Sequence, residues 1–373
     1  MKALCKKWLE EKIAKIASLE SYTPVETIEK TAKQYGLSLS SIVKLNFNEN
    51  LYVPREKLAA LLKEVAEECD LRLYPQEEEQ KLLGAIANYL GLSRGCVAIG
   101  NSSDEVMDRI TNLFLEKSNR AVTFAPTFSV FRYCVKYHGA DYVEVPLRKG
   151  FALDIKGLRA AFTPETKMLY LCSPNNPTGN QFGLGEVEAL IEEFPGIVLV
   201  DEAYGEYADY SLVPLIDKYE NLVVLRTFSK AFGLAGLRLG YAVANPALAN
   251  AINKIPAPYA INIVSLTMGR KLLENIGMMK QAVAALKEER LKLTNSLNKI
   301  EGVEAFDSRA NFVLFNTIKS HEDVYINMLK RGLVIKNLGK LLEYENCLRV
   351  TVGLPDMDAK LLNSLKEYLG EET

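Results

Sequence analysis

The sequence predicts an α/β fold: a mainly parallel sheet with helices on both faces, followed by a smaller α+β domain. Three observations lead there. Between about residues 47 and 265, short runs rich in Val, Ile and Leu alternate with longer stretches of helical periodicity. These runs are apolar on both faces, as strands of a parallel sheet covered on both sides must be. After about residue 265 the pattern changes to one long charged periodic stretch, then short strands, then a last helical stretch. A chain of 373 residues has room for more than one core.

Leu4, Trp8, Leu9, Ile13 and Ile16 recur at helical spacing among Glu10, Glu11 and several lysines. Residues 1–20 therefore read as an amphipathic helix packing on its own protein or on a second subunit. The acids and the missing apolar core argue against a transit or signal peptide. Strand candidates follow at 97–99, 121–123, 168–171, 197–200, 222–225 and 240–243. The stretch from about 265 to 300 reads as one helix. Short strands are expected at 312–315, 333–335 and 348–352, and Leu361, Leu362, Leu365 and Leu369 mark a final helix. The expected division is an N-terminal segment 1–46, a large domain 47–265 and a small domain 266–373.

Composition narrows the function. A net charge of −2 argues against nucleic acid or an anionic membrane as partner. No apolar run approaches the roughly 20 residues of a membrane span. Six cysteines without a Cys-x-x-Cys pair fit free thiols in a reducing cytoplasm. His138 and His321 are the only histidines, which speaks against a histidine metal site or a serine–histidine triad.

The chemistry concentrates in three segments. Thr227-Phe228-Ser229-Lys230-Ala231-Phe232-Gly233 follows the apolar run 222–225, and Arg238 comes eight residues after the lysine. A poorly solvated lysine keeps a neutral amine near physiological pH, and such an amine condenses with an aldehyde. Hydroxyls and an arginine beside it suit a phosphate. Together these describe attachment of pyridoxal phosphate, although a lone Ser-Lys pair is more often an ordinary loop. Upstream, the run 197–200 ends in Asp201-Glu202-Ala203-Tyr204. A carboxylate at the carboxyl end of such a strand can keep a pyridine nitrogen protonated. A helix N-cap aspartate has the same local look. Tyr204 can hydrogen-bond the cofactor's phenolic oxygen. Ser173-Pro174-Asn175-Asn176-Pro177-Thr178-Gly179 reads either as a plain turn or as a loop aiming the Asn176 amide at that oxygen.

In this order, the three segments resemble the class I/II aminotransferases of pyridoxal-phosphate fold type I, and more closely the histidinol-phosphate aminotransferase family. Nearly the whole chain takes part. Tyr22-Thr23-Pro24, Lys44-Leu45-Asn46-Phe47-Asn48-Glu49-Asn50, Arg72-Leu73-Tyr74-Pro75, Gly100-Asn101-Ser102-Ser103-Asp104-Glu105, Ala310-Asn311-Phe312 and Cys347-Leu348-Arg349-Val350-Thr351-Val352-Gly353 each match a family segment.

The resemblance implies the rest of the site. Lys230 carries the cofactor, Asp201 meets the pyridinium, and Asn176 and Tyr204 hold the phenolic oxygen. The phosphate meets Ser102 and Ser103 at a helix start, completed by Thr227, Ser229 and Arg238. Phe128 stands where the family stacks an aromatic ring, usually tyrosine. Tyr74 reaches the neighbouring subunit's cofactor, which makes the protein a homodimer with shared sites. On the substrate side, Arg349 awaits a carboxylate, since an unpaired buried arginine is costly. Tyr52 faces the substrate, in a loop that reads Asn48-Glu49-Asn50-Leu51-Tyr52 where the family has proline before the tyrosine. The family's phosphate-gripping arginine is replaced by Lys336, a point charge without the fork geometry.

The implied activity is ping-pong amino transfer between an amino acid or histidinol phosphate and a 2-oxo acid such as 2-oxoglutarate. Three alternatives stand beside it. One is an aromatic or general aminotransferase, and another is a lyase like the threonine-phosphate decarboxylases. The third, a non-catalytic pyridoxal-phosphate-binding protein, fits poorly with the presence of Lys230.

Overall fold

The computed structural model describes residues 2–18, 27–255 and 257–370. The Tyr22-Thr23-Pro24 segment lies outside the described residues. Thirteen strands are described, in chain order: β1 Val43–Lys44, β2 Val97–Gly100, β3 Arg120–Ala125, β4 Asp141–Pro146, β5 Thr166–Cys172, β6 Ile197–Asp201, β7 Leu222–Thr227, β8 Gly240–Ala244, β9 Val303–Ala305, β10 Phe312–Thr317, β11 Leu333–Val334, β12 Lys336–Leu341 and β13 Tyr344–Thr351.

Seven of them form one sheet in the order β2-β8-β7-β6-β5-β3-β4. Pairing is parallel from β4 through β7, so a mainly parallel sheet stands as expected. The side chains of β7 are buried throughout, as are all but the first of β6 and all but Lys167 of β5. That burial on both faces explains the unbroken apolar runs.

One strand reverses. β8 pairs antiparallel with both β7 and β2. The chain between β7 and β8 holds only the 3-10 turn Ala235–Leu237, with no helix to carry a parallel crossover. The edge strand β4, half exposed and carrying Asp141 and Glu144, has no unbroken apolar run to mark it in the sequence.

Downstream, the expected single helix is two, Ile263–Glu274 and Ile276–Leu297, separated by Asn275 in a non-helical conformation. A four-stranded antiparallel sheet follows, ordered β12-β13-β10-β9, with the helix Pro355–Leu369 after it. β1 pairs parallel with β11, and Thr351 N–H donates to the Leu45 carbonyl, which ties the N-terminal segment to the small sheet. The first helix, Lys2–Ala17, leaves Trp8, Leu9, Ile13 and Ile16 exposed. No helix among the described residues is long and apolar enough to cross a membrane.

Candidate active site

The carboxyl ends of β5, β6 and β7 bring Cys172, Asp201 and Thr227 to the floor of a cavity of about 500 Å³. Its wall includes Lys230, Tyr204, Asn176, Phe128, Arg349 and Lys336. The position is the one where open α/β sheets bind ligands, because the loops leaving the strand ends splay apart there.

Lys230 sits in the β7–β8 loop, and its Nζ donates to the Phe47 carbonyl at 2.9 Å. Burial, with the Arg349 charge nearby, lowers the amine's pKa to about 8. A sizeable neutral fraction is therefore present at mildly alkaline pH. Asp201, 3% exposed, accepts from the Tyr170 hydroxyl at 2.8 Å and from Ala203 N–H at 3.0 Å. Burial pushes its carboxyl up to about 6, against the pull of those two donors. The helix N-cap alternative is thus not what Asp201 does: it leads into a turn, and the 3-10 element that follows begins at Gly205.

Tyr204 is buried, and its hydroxyl accepts from Asn48 Nδ2 at 2.9 Å. Burial raises its pKa, so the phenol stays a proton donor. Asn176 Oδ1 accepts from Arg349, which leaves the Asn176 Nδ2 as the donor toward other groups. Phe128 lines the cavity from the loop after β3.

At the other end, Ser102 caps the helix Ser103–Phe114 with φ of 89°, a conformation costly for a non-glycine residue. Gly240 makes that turn possible: a Cβ there would come within 2.2 Å of Ser103 N. Thr227 Oγ1 accepts from Ser229 N–H at 3.0 Å, and Arg238 pairs with Asp104 at 3.1 Å. Ser103, Thr227, Ser229 and Arg238 all line the cavity, and Ser102 lies just behind.

On the substrate side, β12 and β13 pair so that Lys336 is the direct Cα partner of Arg349. Arg349 also donates to the Asn46 carbonyl at 3.0 Å, and its guanidinium lies 5.0 Å from the Phe312 ring centroid. Burial and the Arg349 charge lower the pKa of Lys336. Two of the sequence candidates stand apart from the cavity. Tyr52 donates its hydroxyl to the Gly353 carbonyl at 3.0 Å. Tyr74 is 75% exposed and stacks on Tyr259 at 5.2 Å.

The structure adds residues that the sequence reading gave no role. The segment Asn46-Phe47-Asn48 joins Arg349, Lys230 and Tyr204 through two carbonyls and one amide. It is held by Asn311 Nδ2 on the Asn48 carbonyl and by Asn48 N–H on Thr351 Oγ1. Backbone carbonyls have no signature in side-chain identity, so only the motif match flagged this segment. Arg132 and Glu144 also line the cavity, and Glu144 accepts from the Tyr142 hydroxyl.

These groups suit pyridoxal phosphate. The donor set holds an amine with lowered pKa, a buried carboxylate whose two hydrogen-bond donors are neutral, and a helix start open to an anion through the missing Cβ of Gly240. Comparison with known proteins agrees. Residues 40–367 match the model of the aminotransferase class I and II family. A histidinol-phosphate aminotransferase of Caldanaerobacter subterraneus subsp. tengcongensis is 34% identical over 327 residues, 87% of this chain and 93% of the relative. One from Halalkalibacterium halodurans is 34% identical over 363 residues, covering 96% of each chain. The crystal structure of histidinol-phosphate aminotransferase from Sinorhizobium meliloti, in complex with pyridoxal-5'-phosphate, superposes with a TM-score of 0.85 at 26% identity over 95% of this chain and 96% of that one. The chain belongs to the class I and II aminotransferases and is a pyridoxal-phosphate-dependent enzyme of the histidinol-phosphate aminotransferase type.

Proposed function

We propose that the enzyme transfers an amino group between histidinol phosphate and a 2-oxo acid such as 2-oxoglutarate. The observation that carries this reading is the pairing of Lys336 with Arg349 in adjacent strands, both on the cavity wall. Two cations side by side match a phosphate dianion better than they match an apolar side chain. The names of the relatives at 34% identity point the same way.

When bound, the cofactor supplies an aldehyde for a lysine and an electron sink for the substrate's amine-bearing carbon. In our reading Lys230 is its lysine. The neutral Nζ, once released, takes the proton from the substrate's amine-bearing carbon, and the Phe47 carbonyl steadies it between steps. Asp201 supplies the fixed negative charge for the pyridine nitrogen. Tyr204, oriented by Asn48, and Asn176, whose oxygen is held by Arg349, supply hydrogen bonds to the phenolic oxygen. Ser102, whose N–H now donates to the Gly100 carbonyl, the Ser103 N–H, Thr227, Ser229 and Arg238 hold the cofactor phosphate, with Arg238 exchanging Asp104 for it. Phe128 packs on the ring. Arg349 and Lys336 bind the anionic end of the substrate, and Tyr52 would have to leave the Gly353 carbonyl to face it.

Lys336→Ala should raise the KM for histidinol phosphate at least about tenfold, as expected for losing a hydrogen bond to a charged group, while Lys336→Arg keeps it near the starting value. Steady-state kinetics with histidinol phosphate and with phenylalanine checks this. Efficient turnover of histidinol phosphate with no penalty in Lys336→Ala would sink the role of this lysine. Faster use of phenylalanine than of histidinol phosphate by the unaltered enzyme would favour the aromatic alternative.

We also propose a cytoplasmic homodimer with shared sites, divided into an N-terminal segment 1–46, a large domain 47–265 and a small domain 266–373. Support comes from Leu71, Leu73, Tyr74 and Tyr259, which leave an apolar surface exposed on the single chain. Mixing Lys230→Ala chains with Tyr74→Phe chains should yield heterodimers in which one site carries neither change, and activity should recover on mixing. Equal loss before and after mixing would refute sharing.

A further inference from the structure

Asp201 has an unusual electrostatic setting. The groups that face it are Tyr170 and Cys172 from β5, Asp104 from the helix Ser103–Phe114, and Glu202 and Tyr204 from its own strand end and turn. None is a cation. Asp104 and Glu202 are like charges that oppose its ionisation, as does its burial. What favours the charged form is two hydrogen bonds, one from Tyr170 and one from Ala203 N–H. The Tyr170 bond is the larger of the two lowering influences.

Tyr170 is built to deliver that bond. β5 and β6 are in parallel register, with Tyr170 opposite Leu199 and Cys172 opposite Asp201. Tyr170 and Asp201 are therefore diagonal neighbours on one face of the sheet, within reach of a long side chain. Tyr170 is wholly buried and stands beneath Asp201, outside the cavity lining. Its ring stacks on Phe131 at 4.2 Å with planes 12° apart, and its backbone carbonyl accepts from Thr123 Oγ1 at 2.9 Å. Its own hydroxyl has a pKa raised well above the ordinary value by burial and by Asp201, so it remains a donor at every working pH.

We propose that Tyr170 is a positioning residue of the transamination: its hydroxyl, bonded to Asp201 Oδ2 from below the site, holds that carboxylate ionised and fixed in orientation. The inference rests on Asp201 as the partner of the pyridine nitrogen. Without the Tyr170 hydroxyl, the buried Oδ2 loses its side-chain donor, and the carboxyl becomes a weaker acid. The proton shared with the pyridine nitrogen then moves toward Asp201, and the ring draws electrons less strongly.

Tyr170→Phe removes the hydroxyl and keeps the stacked ring. Holoenzyme carrying 15N-labelled pyridoxal phosphate reports ring protonation directly by NMR. The expected result is a 15N shift moved toward that of a neutral pyridine, in the direction taken by Asp201→Asn. The half-reaction rate should fall about tenfold to a hundredfold at neutral pH, as loss of a hydrogen bond to a charged group predicts. The acid limb of the rate profile should move to higher pH. Placing 3-fluorotyrosine at position 170, a stronger donor of nearly the same shape, should move the limb to lower pH, and this arm serves if the phenylalanine variant does not fold. Unchanged 15N shift and rate in Tyr170→Phe, alongside changes in Asp201→Asn, would overturn the role of Tyr170 and leave Asp201 in place. If Asp201→Asn also changes neither, the reading of Asp201 fails, and this proposal with it.

Discussion

On the role proposed for Lys230, transamination falls by at least about 10⁴-fold when it becomes alanine, because the covalent attachment point and the base at the substrate carbon would be lost together. The fold survives, since Lys230 makes one hydrogen bond, to the Phe47 carbonyl. The pH dependence follows from its pKa of about 8, lowered chiefly by burial. An unfolded lysine titrates near 10.4, so the fold favours the neutral amine. Below about pH 8 the apoprotein carries the full cost of a charged, poorly solvated amine, and its stability rises as pH climbs from about 8 toward 10.4. Lys230→Ala removes this rise. Melting curves of the two apoproteins at pH 7 and pH 10 measure it. Near-normal turnover by the alanine variant would overturn the central assignment.

Asp201→Asn has opposite consequences for rate and stability. The half-reaction slows by roughly 10²–10³-fold, the usual loss when a fixed charge aimed at the transition state is neutralised. Cofactor binding weakens less, because the phosphate contacts remain. The apoprotein gains stability at neutral pH. Burial raises the carboxyl of Asp201 to about 6, whereas in the unfolded chain it titrates near 3.9. The fold therefore prefers the protonated acid. The contribution of this carboxyl to stability is most favourable below about pH 4 and declines as pH rises through about 6, by a few kcal/mol at most. Asparagine can meet both Tyr170 and Ala203 N–H without that penalty. The variant should melt several degrees higher than the parent apoprotein at pH 7 and within about a degree of it at pH 4. Rapid-mixing absorbance of the bound cofactor gives the rate. An unchanged half-reaction rate would remove Asp201 from the site.

The opposition between these two effects has a single origin. On the proposed roles of Asp201 and Lys230, the reaction needs a buried anion and a poorly solvated amine, and the apoprotein is less stable for holding either. On the same roles, binding of the cofactor would give each of them a partner and so restore stability.

What the sequence by itself determined is the part of the protein that local chemistry encodes. Buried parallel strands must be apolar on both faces, so β5, β6 and β7 stand out as unbroken runs. Asp201, Lys230 and Asn176 follow such runs within a few residues, so strand ends bring them to one edge without any knowledge of the rest. Tertiary structure decided what depends on register or on backbone. The reversal of β8 goes with a connection that holds no crossover helix, and strand periodicity carries no sign of direction. The facing of Lys336 and Arg349 depends on the pairing of β12 with β13, which a single-residue slip would have undone. The carbonyls of Asn46 and Phe47 reach Arg349 and Lys230 across separations of 303 and 183 residues. The hydroxyl of Tyr170 meets Asp201 only because two neighbouring strands share one face, a contact that no pattern along either strand contains.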